Sequence, residues 1–208
     1  MIAIVDYGMG NLRSVHKAIE AVGGDAKIVC SPEDVAKADK IILPGVGAFR
    51  DAIAKVRSVG LDEALVEAVN KGVPLMGICL GLQLLFEVSF EDGEHTGLGI
   101  VAGKVLKFDF EDVLAGSSEK LSIPHMGWNS IELDQPCVLF EGLDQSPYVY
   151  FAHSYYVQPT NDQVIATRTH YGFPFVSSIC QDNVMGTQFH PEKSQSVGLK
   201  ILKNFVRL

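Results

Sequence analysis

The chain has 208 residues, 47% hydrophobic and 20% charged, enough to bury a core without disulfide or metal staples. That length suits one domain, so a single domain over residues 1–208 is expected. Its 17 Lys and Arg against 25 Asp and Glu leave a net charge of -8, which argues against a nucleic-acid binder and against docking on an anionic membrane surface.

The opening Met1-Ile2-Ala3-Ile4-Val5-Asp6 has no basic residue ahead of its apolar stretch, and reads as a buried strand rather than a signal peptide. From Asn11 to Val22, Leu12, Val15, Ala18, Ile19 and Val22 recur at helical spacing, and Gly23-Gly24 ends the pattern. Lys27 to Cys30 reads as a second strand. Ser31-Pro32-Glu33-Asp34 is an N-cap, a proline at the first helical position and two acids in the first turn.

Ile41-Ile42-Leu43 is a third buried strand, ended by Pro44-Gly45-Val46-Gly47, and helical spacing returns over Ala48–Val59 and Leu61–Val69. Pro74 to Ile78 is a fourth strand, and Leu80 to Phe86 turns straight into a helix. The uncharged, largely apolar run Gly72 to Phe86 falls short of the roughly 18 to 20 apolar residues that span a bilayer. Alternating strands and helices as far as residue 90 imply a mostly parallel central sheet flanked by helices.

The second half reads as antiparallel ribbons added to that sheet: Ile100–Phe110, Trp128–Leu133, Tyr148–Ala152, Val164–Thr169, Phe175–Cys180 and Val184–Gln188. A helix over Ser196–Val206 closes the chain. The polar stretch 111–120 is the candidate mobile loop, and Phe108 to Leu121 matches no useful pattern. Cys30, Cys79, Cys137 and Cys180 are far apart with no CxxC pair, so neither a zinc ribbon nor a disulfide framework is indicated. A soluble cytoplasmic α/β protein with no cofactor is expected.

One segment carries chemistry. Gly77-Ile78-Cys79-Leu80-Gly81 is G-x-C-x-G at a strand–helix junction, the cysteine analogue of a nucleophile elbow. The turn needs small neighbours, and it sets Cys79 at a helix N-terminus, where a thiolate is favoured. The backbone N–H of Leu80 faces the same spot and can serve an oxyanion. The bland alternative is a buried strand cysteine, which holds for Cys30, Cys137 and Cys180, since they lack flanking glycines.

A thiolate nucleophile needs a base, and the base an orienter. Of the 6 histidines, His190 stands in Gln188-Phe189-His190-Pro191-Glu192, directly after the last strand, with Glu192 placed to hold its tautomer. His16 reads as solvated and His95 as a loop residue. His125, His153 and His170 stay open but have no adjacent acid. No third ligand accompanies His190 and Glu192 as a metal site would require. Gly8-Met9-Gly10 invites a dinucleotide reading, which fails because Arg13 stands where the third glycine belongs.

With an elbow cysteine in one half and strand-H-P-E in the other, the chain resembles the class I (triad-type) glutamine amidotransferases over essentially its whole length. The resemblance implies the fold of that family and a triad of Cys79, His190 and Glu192 that hydrolyses glutamine. Further segments are similar to the glutaminase subunits of imidazole glycerol phosphate synthases: Asp6–Leu12, Leu43–Phe49, His125–Asn129, His153–Tyr156 and His190–Ser194. The glutaminases of pyridoxal phosphate synthase, by contrast, carry a G-G-E-S type loop where this chain has Pro44-Gly45-Val46-Gly47.

On this resemblance, the oxyanion would be held by the N–H groups of Leu80 and Val46, and substrate by Gly45, Gly47, Gln83 and Glu91, with Glu87 competing with Glu91. Ser154 and Tyr155 would act through their backbone. The absence of any phosphate-binding loop implies a separate synthase subunit, which the resemblance names as a (β/α)8-barrel cyclase. Asn11, Trp128, Tyr150 and Lys193 are the candidate surface for it. Two alternatives remain open: the glutaminase of another ammonia-using synthase, and a non-catalytic module with Cys79 as sensor. An α/β-hydrolase is disfavoured because there the acid precedes the histidine.

Overall fold

The structure, a computed structural model, describes residues 1–111 and 121–208. From residue 112 on, the polar stretch singled out above lies outside the described residues. Four parallel strands form the first half of the sheet: β1 (Ile2–Val5), β2 (Ala26–Val29), β3 (Lys40–Gly45) and β4 (Leu75–Cys79), in the order β2-β1-β3-β4. The apolar runs of β1, β3 and β4 are unbroken because both faces are covered, whereas the edge strand β2 carries Lys27 and leaves Ile28 exposed. Ala3, Val5, Ile41, Leu43 and Leu75 face one core, while Ile2, Ile4, Ile42, Met76 and Ile78 face the other.

The helices supply the two outer layers. On one side α3 (Phe49–Ser58) buries Phe49, Ala52, Ile53 and Val56, a stripe at i, i+3, i+4 and i+7, beside Leu61, Leu65 and Ala68 of α4 (Leu61–Asn70). On the other, α1 (Leu12–Ala21) packs with α6 (Gln195–Val206) through Val15 and Ile19 against Ile201, Leu202 and Phe205. Truncating one such Leu or Ile to Ala would cost about 2–5 kcal/mol. The short α2 (Pro32–Val35) starts as expected, with Ser31 Oγ accepting from Asp34 N–H at 3.2 Å. Among the described residues no helix is long and apolar enough to cross a membrane.

The second half differs from its expectation in one respect that matters for the site. Its last strand, β14 (Val184–Thr187), lies parallel to β4, with Gly186 opposite Gly77 and Thr187 opposite Ile78. The same sheet then continues outward through β13 (Phe173–Gln181), β11 (Tyr155–Pro159), β7 (Val101–Lys107), β5 (Phe86–Ser89) and β6 (His95–Thr96), each antiparallel to its neighbour except β5, which lies parallel to β7. β12 (Ile165–Tyr171) pairs with β13, and β9 (Glu132–Leu133) pairs with β12 in turn. Among the described residues, β8 (His125–Ser130) and β10 (Tyr148–His153) alone form a separate two-stranded ribbon.

Several boundaries move. The helix expected over Leu80–Phe86 is a short α5 (Leu80–Leu84), and Phe86 already belongs to β5. The carbonyls of Leu84, Leu85 and Phe86 are taken by the N–H groups of Leu98, Ile100, Val101 and Gly99, so residues 98–101 close the helix off. The strand expected over Trp128–Leu133 is split into β8 and β9 at fully buried Ile131. β11 was not anticipated. His95 sits in β6 rather than a loop. His16 is half-buried rather than solvated, with its ring 3.1 Å from the Ala26 carbonyl.

Candidate active site

β4 runs into Cys79, whose backbone at φ 55°, ψ −111° is a conformation that a residue with a Cβ rarely holds. Such a residue costs of order 1–3 kcal/mol and persists only where its surroundings over-determine it. Here they do. The first turn of α5 lies so close on β3 that a Cβ on Gly81 would fall on the Leu43 carbonyl. The elbow expected from G-x-C-x-G is therefore formed.

Cys79 is buried, and three groups surround its sulfur. Gln188 Nε2 stands 3.7 Å away, the Ala152 carbonyl is 3.9 Å away, and His190 faces the sulfur closely enough for the two to favour each other's charge. The chain brings His190 there through β14, which ends level with β4. Tyr150 of β10 then clamps the turn, accepting from His190 N–H at 2.9 Å and donating its own N–H to Ser194 Oγ at 3.0 Å.

His190 Nδ1 donates to Glu192 Oε1 at 2.8 Å, which leaves Nε2 as the nitrogen available to the sulfur. Burial alone would lower the imidazole pKa. Cys79 and Glu192 outweigh it and raise His190 to about 10. An imidazolium facing a sulfur is the arrangement that stabilises a thiolate.

Cys79, Leu80 and His190 open on a cavity of about 330 Å³. Val46 and Gly47 form its opposite lip, Val46 well exposed and Gly47 at φ +97°. Gly45 does not reach the cavity: it is buried against Tyr7 Oη and Gly81 N, so it allows close packing under the elbow. Glu91 lines the cavity, accepting from Phe49 N–H at 2.7 Å, and burial raises its pKa. Its competitor Glu87 is turned away, holding Gly103 N–H at 2.8 Å.

Gln83, Ser154 and Tyr155 also line the cavity, with part of their polar capacity already committed. Gln83 Nε2 donates to the Tyr155 carbonyl and to Gln188 Oε1, both at 3.1 Å. The Ser154 carbonyl accepts from Phe108 N–H at 3.1 Å. The Ser154 carbonyl keeps a second lone pair, and the backbone role expected of Ser154 and Tyr155 stands as a proposal.

Trp128 and Tyr150 face each other across β8 and β10, their rings edge to face at 6.1 Å, with Lys193 Nζ 5.7 Å from the Tyr150 ring. Asn11 precedes α1, which packs on the turn carrying Lys193. Met126, 64% exposed, joins Trp128 on the outward side of β8 and also borders the cavity.

Sequence reasoning missed Gln188 and Met126 and left His153 open without a role. Gln188 could have been found from its place just beyond the final strand, where a side chain shares the elbow's level. His153 sits in the cavity wall, 3.0 Å from His125 Nδ1, and burial drives the pKa of both rings down, to about 3 and about 4. Among the described residues, no group of three or more His, Cys, Asp or Glu is gathered as a metal site requires.

Residues 3–208 match the family model for glutamine amidotransferase class-I. The chain is similar to a protein of Syntrophotalea carbinolica named imidazole glycerol phosphate synthase subunit HisH, 52% identical and covering 99% of this chain and 98% of that one. A protein of the same name from Desulfitobacterium hafniense is 48% identical over 99% of this chain and 93% of its own length. A solved structure of PurLQS from Thermotoga maritima shares the fold, with a TM-score of 0.75 at 19% identity over 99% of this chain and 97% of that one.

Proposed function

The chain belongs to the class I glutamine amidotransferases, and on that premise we propose that it is the glutaminase subunit of an imidazole glycerol phosphate synthase. The observation that carries this reading is the buried Cys79–His190–Glu192 constellation opening on a cavity large enough for an amino acid, in a chain about half identical to proteins of that name.

In the proposed reaction the Cys79 thiolate attacks the side-chain carbonyl of glutamine. The N–H groups of Leu80 and Val46 hold the oxyanion, and the His190 imidazolium protonates the departing ammonia. The remaining γ-glutamyl thioester leaves Cys79 uncharged. His190 has then lost the anion that helped raise its pKa, and becomes a neutral base that takes a proton from the attacking water. Glutamate leaves, and the thiolate–imidazolium pair is restored. Glu91 and Gln83 are proposed to receive the amino-acid end, supported by their place on the cavity wall.

The ammonia is proposed to pass to a (β/α)8-barrel cyclase subunit bound as a heterodimer, which makes imidazole glycerol phosphate and the aminoimidazole carboxamide ribonucleotide in histidine biosynthesis. The exposed faces of Trp128 and Met126 beside the cavity, with Asn11, Tyr150 and Lys193 nearby, support a docking surface there. We place the pair in the cytoplasm, and the family match over 3–208 supports one domain.

The test is Cys79→Ala in the complex with the cyclase. Glutamine-dependent synthesis should vanish while synthesis from added ammonia persists, since Cys79 serves only glutamine cleavage. Loss of both in a folded complex would refute the assignment.

A further inference from the structure

A line of two buried glutamines ends on the Cys79 sulfur. The Tyr155 carbonyl accepts from Gln83 Nε2, the same nitrogen donates to Gln188 Oε1, and Gln188 Nε2 stands 3.7 Å from Cys79 Sγ. The direction of the line is set at its far end. A peptide carbonyl can only accept, so Gln83 must present its amide nitrogen there. With that nitrogen shared between Tyr155 and Gln188, Gln188 must answer with its oxygen. Its own N–H group is thereby left facing the sulfur, which accepts from it at 3.7 Å, while as a thiol the sulfur can donate to the Ala152 carbonyl 3.9 Å away.

A sulfur that accepts is a sulfur better off as thiolate. The sheet register puts this donor in place: Thr187 pairs with Ile78, so Gln188 comes level with Cys79 across the β14–β4 ladder. Gln188 is completely buried and Gln83 nearly so. In that setting a hydrogen bond to a charged group is worth more than one in water.

We propose that Gln188 is a positioning residue for the nucleophile, holding the Cys79 thiolate through an amide N–H whose orientation Gln83 dictates. This rests on the reading of Cys79 as the glutaminase nucleophile. It gives Gln83 a task besides substrate binding: one glutamine keeps the other from flipping. An amide turned the wrong way would set an oxygen against the thiolate.

The test is the pH dependence of Cys79 alkylation by iodoacetamide in the full chain, read on the Cys79 peptide, together with glutaminase kinetics of the cyclase complex. The titratable groups facing the sulfur are Tyr7, beyond the end of β1, and His190, with Glu192 and His153 behind the latter. All are retained in the variants. Gln188→Met, near in size but without a donor, should raise the alkylation midpoint by about one pH unit and lower kcat about tenfold with KM nearly unchanged. Gln188→Glu keeps the acceptor for Gln83 and sets an ionisable carboxyl on the sulfur, so its midpoint should rise further.

Midpoints unmoved in folded variants would overturn the proposal. If Gln188→Met fails to fold, Gln83→Met, which removes the group that dictates the Gln188 amide, decides in its place through the same rise in midpoint. A wild-type complex that does not hydrolyse glutamine, or whose Cys79 does not react, would overturn the function and this inference with it.

Discussion

Glu192 accepts a 2.8 Å hydrogen bond from His190 Nδ1 in a pair whose side chains are only 1% and 4% exposed. Its second oxygen, Oε2, is buried with no partner among the described residues. A carboxylate so placed has one evident task, to hold the imidazole and favour its charged form.

The pH consequence follows from His190, raised from 6.5 to about 10 despite a burial that lowers it, because Cys79 and Glu192 favour its charge. A raised pKa contributes stability that is complete below the unfolded value of 6.5 and is lost as pH climbs through about 10. Glu192→Gln should lower the His190 pKa and bring that loss to lower pH. It should also cut glutaminase kcat by at least about tenfold. Nitrogen NMR of the His190 ring across pH 5–11 reads the first effect directly. An imidazole that titrates unchanged in the variant would show that Glu192 does not set its charge.

Exposure and chemistry make opposite predictions for labelling. Cys30 is exposed, Cys137 and Cys180 are intermediate, and Cys79 is buried. A reagent limited by access alone would take Cys30 first. A glutamine-like electrophile should instead take Cys79 first, because only there does a cavity for the amino acid meet a thiol facing an imidazolium. Peptide mapping at substoichiometric reagent separates the two outcomes, and Cys30 labelled first would count against the site.

The outward side of the β8–β10 ribbon exposes Met126, Trp128 and Tyr148. Large apolar side chains gathered this way mark a docking face more often than chance. Trp128→Ala should weaken cyclase binding by at least about 2 kcal/mol, roughly thirtyfold in Kd, if Trp128 is an anchor of that interface. Titration calorimetry of the two purified subunits measures it, and an unchanged Kd would move the interface elsewhere.

Local signals were legible in the chain and long-range ones were not. G-x-C-x-G announces the elbow because its glycines answer a crowding present within a few residues, Gly81 against Leu43. His-Pro-Glu is equally local. Gln188, by contrast, reaches Cys79 only because β14 runs parallel to β4, a pairing that no short-range pattern encodes. His153 arrives through a ribbon packed over the sheet end. The α5–β5 boundary was lost for a related reason: Leu80 to Phe86 is apolar throughout, and periodicity cannot divide such a run. Its division is made by the N–H groups of residues 98–101.

The last prediction concerns the lip opposite Cys79. Gly45 is the final paired residue of β3, locked against Tyr7 and the elbow, whereas Val46 beyond it is 42% exposed. The Gly45–Val46 peptide is thus the first one past the ladder, and Gly47 follows it at φ +97°, a conformation open to glycine. That peptide can turn without disturbing Cys79, His190 or Glu192, all of which are buried and held by other elements. Its N–H is the proposed second oxyanion donor, and losing one such donor costs about 2.7–4 kcal/mol, or 10²–10³ in rate. Unpartnered hydrolysis would release ammonia to solvent, so a coupled enzyme gains by keeping this donor out of place until the cyclase and its acceptor are bound. The isolated chain should therefore be a poor glutaminase. Activation by the loaded cyclase should appear mainly in kcat, by 10²–10³, since the donor acts on the transition state rather than on bound glutamine. Steady-state assays of the subunit alone, with cyclase, and with cyclase plus acceptor measure this. A subunit that alone reaches the full rate of the complex, or activation confined to KM, would show that the peptide is not a switch.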